Sequence, residues 1–184
     1  PLIYSHISEA LERTIENGID LSIITNGQNL NRDRAKLLSG SKWVRVSLDA
    51  SDEEVFVKNR RVPGKMFHSL KENLEKFGKT KQDDCEFGNN FVVNTNNAET
   101  VYRSAQFFKD IGVNHIKFTP LYTPRNFFEY HKDIKDNVVE QIEKAKNLES
   151  ERFLVYDTYK NDFSLSSVDN RTYSFCPIMQ TVPV

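Results

Sequence analysis

Short apolar runs alternate with helical stretches along most of this chain, and that alternation limits what it can fold into. The runs are LSIITNG at 21–27, KWVRVSLDA at 42–50, FGNNFVVN at 87–94, NHIKFTPLY at 114–122 and RFLVYDTY at 152–159. Each is rich in β-branched or aromatic residues and ends on turn formers, as strands do. Between them lie stretches of helical period. ISEALERTIENG places Ile7, Leu11 and Ile15 on one face and closes at Gly18. NRDRAKLLSG ends at Gly40, and MFHSLKENLEKFGK carries a stripe of Phe67, Leu70, Leu74 and Phe77. AETVYRSAQFFKDIG closes at Gly112, and residues 135–148 turn Val138, Val139, Ile142 and Ala145 to one side. The segment SDEEVFVKNRRVPGK reads as a capped turn running into a loop at Pro63-Gly64.

A helix followed by four β-α units and a fifth strand implies a parallel sheet with right-handed crossovers. A (β/α) barrel and an open doubly wound sheet both fit. In either, ligands bind beyond the C-terminal ends of the strands. That rule selects Thr25-Asn26-Gly27, Ser47 with Asp49, Asn94-Thr95, Thr119-Pro120-Leu121 and Asp157-Thr158. Turn formation and helix capping explain any one of these sets. Five sets on one rim point to a ligand without naming it. Asp49 divides between a site and a cap for the turn that follows.

The charges exclude some functions. Lys plus Arg number 25 against 26 for Asp plus Glu, so no electrostatic nucleic-acid binder is expected. No run approaches the roughly 20 apolar residues of a membrane helix. The sequence has neither GxGxxG nor GxxxxGK[ST], so it lacks the dinucleotide and P-loop signatures. Its two cysteines, Cys85 and Cys176, build neither a zinc site nor a disulfide framework, and a reducing, cytoplasmic compartment is expected. No histidine pairs in sequence with a nucleophile or a second metal ligand. The chain starts at Pro1 and stops at TVPV, and it is expected to be cut from a longer protein.

The order TNG, VSLDA, FVVN and IKFTPLY resembles the middle and later strands of a radical S-adenosylmethionine (SAM) enzyme over residues 1–125. The resemblance implies a partial (β/α) barrel of the TIM type over residues 1–159. It places the first strand and the CxxxCxxC loop that holds the 4Fe-4S cluster upstream of Pro1. CPIMQTVPV resembles the opening of a SPASM or twitch extension, so residues 160–184 would begin an auxiliary-cluster domain, with Cys176 as its first metal ligand.

The same resemblance implies roles for single residues. Pro1 would end the motif that receives the methionine amino group. Ser47 would bond the ribose or carboxylate end, assisted by Asp49. Arg61 would pair with the cofactor carboxylate, a partner suited to its planar fork. Asn94 would face the same cavity, and Leu121 would pack on adenine or offer its backbone. A reduced cluster would cleave SAM to a 5′-deoxyadenosyl radical that takes hydrogen from a substrate, a peptide or protein being one class. Flavodoxin or ferredoxin would supply the electron. The fragment alone is expected to be inactive.

Two other readings stay open. An unrelated (β/α)-barrel lyase or aldolase would use a Schiff-base lysine, for which Lys117 on HIKF is the best placed. A non-catalytic interaction domain would keep the barrel without the cluster. Asp157 is the one residue suggested as a general base.

Overall fold

The computed structural model describes residues 1–123 and 126–161. Five strands form one parallel sheet: β1 (Ser22–Thr25), β2 (Trp43–Ser47), β3 (Glu86–Val93), β4 (His115–Pro120) and β5 (Leu154–Asp157). Their order in the sheet is their order in the chain. Parallel neighbours taken in sequence, with right-handed crossovers, keep every connecting helix on one face. The architecture is therefore a partial α/β barrel, as the resemblance implied, and not the open doubly wound sheet that the pattern also allowed.

The helices are α1 (Ile7–Glu16), α2 (Arg32–Leu38), α3 (Glu53–Arg60), α4 (Lys65–Thr80), α5 (Val101–Ile111), α6 (Phe127–His131) and α7 (Lys135–Lys146). A 3-10 turn at Ala98–Thr100 leads into α5. The core lies between helices and sheet. Val44, Val46, Phe87, Phe91, Ile116 and Phe118 are at most 1% exposed and meet Leu70, Leu74, Phe77 and Phe108 of the helices within one buried cluster. At the alternate strand positions Arg45, Ser47, Asn90, Lys117 and Thr119 are only half-buried. They belong to the inner face of the sheet, where side chains on one strand alternate in direction.

Two elements correct the sequence reading. The turn and loop expected after Asp49 is instead the eight-residue helix α3. Asp52 starts it by accepting the Val55 N–H at 2.9 Å, satisfying one of the free donors of the first turn. Arg61 ends it in the left-handed conformation at φ +54°. Helix α6, within a run of aromatics that has no helical period, was not anticipated. It is fixed from outside: Tyr130 Oη accepts the Thr95 N–H at 3.3 Å, and the buried His131 bonds Leu121 and Tyr159, just past the ends of β4 and β5.

Candidate functional site

The exit of β2 is the best-built part of the rim. Its residues leave the strand between β1 and β3 and run directly into α3, so the helix returns over them. Arg60, in the last turn of α3, donates Nη2 to Asp49 Oδ1 at 2.7 Å and to the Ser47 carbonyl at 3.2 Å. The Asp49 carbonyl accepts from Asn59 at 3.2 Å and from Asn97 at 3.0 Å. Asp49 is thus held by Arg60, and the helix cap belongs to Asp52. The Ser47 hydroxyl has no hydrogen-bond partner among the described residues.

Beside this pair lies a cavity of about 150 Å³. Asn26, Gln28, Ser47 and Arg60 supply its polar lining, and Leu48, Phe56, Val62, Met66 and Leu70 its apolar walls. Gly27 makes the β1 exit possible. Its φ is +80°, and a Cβ there would lie 2.6 Å from Leu70 Cδ1. The cavity offers a cation, amide groups and a hydroxyl against an apolar wall. That composition suits a ligand with a charged end and a flat apolar body.

The other residues selected from the sequence divide. Arg61 is exposed and outside the cavity lining, one residue beyond the arginine that enters it. Asn94 is 8% exposed, and its Oδ1 accepts the Asn96 N–H at 2.8 Å, forming the turn after β3. Leu121 donates its N–H to Val93 at 2.9 Å and accepts from His131 Nε2 at 3.0 Å, leaving its side chain for packing. Pro1 is exposed at the chain start, its carbonyl accepting from Tyr4 at 3.1 Å. Asp157 pairs in register with Phe118 on the helix side, where Oδ1 accepts the Lys160 N–H at 3.0 Å. Cys176 lies outside the described residues.

Three residues that the sequence did not single out organise the rim. Arg60 has just been described. Asn97, fully buried, donates to the Asp49 and Val92 carbonyls at 3.0 and 2.9 Å and accepts the Asn94 N–H at 2.8 Å. It ties the β2 exit to the β3 exit. His131 is also fully buried, with Nδ1 2.9 Å from Tyr159 Oη. A carbonyl only accepts, so Nε2 carries the proton toward Leu121 and Nδ1 accepts from Tyr159. Burial lowers the His131 pKa, partly offset by the bond to Leu121. Burial likewise raises that of Tyr159.

Comparison with solved structures identifies the architecture. Streptococcus suis SuiB bound to S-adenosylmethionine matches 94% of this chain at a TM-score of 0.65 and 14% identity. Archaeal TYW1 matches 80% at 0.56 and 13% identity. A domain of pyruvate-formate lyase-activating enzyme from Bacteroides vulgatus ATCC 8482 matches 77% at 0.53 and 15% identity. These are radical SAM enzymes. The fold is that of a radical SAM core. No family model matches the chain, and no curated protein sequence does. The radical SAM fold here spans 39% of the SuiB chain, 46% of the TYW1 chain and 89% of the Bacteroides vulgatus domain.

The described residues differ in how they suit the two groups this fold family uses. The β2 exit, with an unengaged hydroxyl, a cation and an apolar wall, suits part of a SAM molecule. No group of three His, Cys, Asp or Glu side chains among the described residues could hold a metal ion, so none of them is assigned to a cluster. No helix among the described residues is long and apolar enough to cross a membrane.

Proposed function

We infer that this chain is the SAM-binding part of a radical SAM enzyme acting on a peptide or protein. The observation that carries the reading is the convergence of Ser47 and Arg60 on one cavity at the β2 exit. Ser47 offers its hydroxyl to the ribose or carboxylate end of the cofactor. Arg60 presents a guanidinium already aligned by Asp49 and the Ser47 carbonyl, and so loses little freedom on binding a carboxylate. Phe56, Met66 and Leu70 keep water from the apolar side. Asn97 and His131 hold the β3 and β4 exits in place.

Support comes from the fold shared with SuiB, a structure solved bound to S-adenosylmethionine and also bound to its precursor peptide SuiA. Bound with a reduced 4Fe-4S cluster, the cofactor supplies a 5′-deoxyadenosyl radical for hydrogen abstraction. Under this reading the cluster ligands, Pro1 as the end of the amino-group motif, and Cys176 at the head of an auxiliary-cluster extension over 160–184 remain proposals. So do a flavodoxin or ferredoxin donor and a cytoplasmic location. The test is anaerobic reconstitution of the full-length protein with iron, sulfide and dithionite. Formation of 5′-deoxyadenosine from SAM is expected, and its absence from a preparation that carries a reducible cluster would sink the reading.

A further inference from the structure

The inner face of the sheet carries charge that the rim does not use. Pairing puts Ser47, Asn90, Lys117 and Tyr156 in one row across β2, β3, β4 and β5. The next row toward the strand starts is Arg45, Gly88, His115 and Leu154. Thr119 and Thr158 stand above, their hydroxyl oxygens 3.1 Å apart, and Thr119 Oγ1 lies 3.4 Å from Asn90 Oδ1. Lys117 is half-buried in this surface.

Carboxylates are scarce here. On the inner positions of the described strands the one acid is Glu86, at the start of β3, and it lies 2.9 Å from His115 Nδ1. Arg45 stacks on Trp43, 5.1 Å from the ring centroid. Among the described residues neither Lys117 nor Arg45 has an ion-pair partner, and the Lys117 ammonium has no hydrogen bond. The acid at the end of β5, Asp157, faces the helices instead. With no counter-charge beside it among the described residues, this cation stays open to an anion from outside the protein. Around it stand the Asn90 amide and the Tyr156 hydroxyl, which can donate to a second anion oxygen, while Thr158 donates to the Phe118 carbonyl and Thr119 to Asn90 or Thr158.

We propose that Lys117 is a substrate-binding residue that anchors a carboxylate on the inner face of the sheet, in the same row as Ser47 and two strands away from it. This rests on the reading above only for the cofactor's position. It narrows the substrate class to carboxylate-bearing molecules, whether an acidic side chain of a peptide or a free organic acid. Lys117 supplies the charge, and Asn90 and Tyr156, its register neighbours on either side, can donate to the second carboxylate oxygen.

The experiment uses the full-length protein at low salt and NMR titration with two acid–amide pairs. One pair is a C-terminally amidated nonapeptide carrying glutamates and its glutamine counterpart; the other is N-acetylglutamate and N-acetylglutamine. The acid is expected to bind about tenfold or more tighter than its amide. Selectivity in the peptide pair alone assigns the carboxylate to a peptide, and selectivity in both shows that a free acid suffices. Lys117→Gln and Lys117→Met are expected to abolish the difference, and Lys117→Arg to retain it, with melting temperatures confirming folded protein. Equal binding of acid and amide to the native protein, or selectivity that survives Lys117→Met, overturns the proposal. Deoxyadenosine formation is measured on the same preparations. Its failure would remove the radical reading and leave the carboxylate selectivity standing, whereas loss of selectivity alone would remove only the role of Lys117.

Discussion

Arg60 and Asp49 meet at 2.7 Å across the exit of β2, so the arginine that enters the cavity is oriented before any ligand arrives. Arg61, its neighbour in sequence, sits in the left-handed position that ends α3 and is exposed. The two arginines are therefore expected to differ sharply. Arg60→Ala should weaken SAM binding by about tenfold or more in calorimetric titration of the full-length protein. Arg61→Ala should change it by less than about twofold, since Arg61 lies outside the cavity lining. Equal losses would place the carboxylate contact at neither residue in particular.

Gly27 and Gly18 both have positive φ, but their surroundings differ. A Cβ on Gly18 would meet nothing within 4 Å, so Gly18→Ala bears only the backbone cost, about 1–2 kcal/mol. A Cβ on Gly27 would press on Leu70 at 2.6 Å and Leu74 at 3.1 Å, adding overpacking to the same backbone cost. Gly27→Ala is therefore expected to lose about 2–4 kcal/mol by urea unfolding. It should also narrow the cavity that Leu70 lines. Losses of the same size for both variants would contradict the close contact.

Acid should destabilise the protein through its buried histidines. His131 and His115 both have pKa values lowered chiefly by burial, against an ordinary value of 6.5, and for His115 Glu86 opposes the shift. The unfolded chain then binds protons that the folded chain does not. Stability is full above the ordinary histidine range and falls as pH drops below about 6.5, until the folded state also takes the proton. The slope is up to about 1.4 kcal/mol per pH unit for each such proton. Urea unfolding from pH 7.5 to 5.5 should show this fall. His131→Gln should be less stable at pH 7.5 yet show a shallower slope, with His115 supplying what remains. A slope unchanged in that variant would mean that His131 takes its proton as readily folded as unfolded.

The strands and most helices were legible because each carries its own period. The alternation of Val44 and Val46 against Arg45 and Ser47, or the stripe of Phe67, Leu70, Leu74 and Phe77, is visible without tertiary structure. Helix α3 was not legible because EEVFVKNR mixes two β-branched valines with charges and buries only Val55 and Phe56. Under the proposed reading, that miss shifts the carboxylate contact from Arg61 to Arg60. Successive residues on a helix point about 100° apart, so choosing Arg60 over Arg61 needs the helix and its phase. The available signal was Asp52, three residues before Val55, at the start of that helix. His131 and Asn97 were hidden differently. One sits in an aromatic run and the other among asparagines, and only packing decides that His131 is buried and that Asn97 is the one bridging two strand exits.

Asn97 gives the sharpest test of how the rim is held. Its side chain serves three backbone groups from two strand exits, and no water reaches it. Asn97→Ala removes both donor bonds and the acceptor, leaving the Asn94 N–H and the Val92 carbonyl without that partner. The Asp49 carbonyl keeps Asn59. Each buried group left unsatisfied costs about 1–3 kcal/mol, so a loss of about 2–4 kcal/mol is expected in urea unfolding. Asn97→Asp keeps the acceptor, loses the amide donors and buries a charge, and should be at least as damaging. Because Asn97 fixes Asp49, and Asp49 orients Arg60, Asn97→Ala should also weaken SAM binding at a temperature where the variant is folded. Arg60→Ala should then add little further loss in the double variant, the non-additivity expected of residues acting through one contact. Fully additive losses would show that Asn97 supports the fold without positioning the arginine.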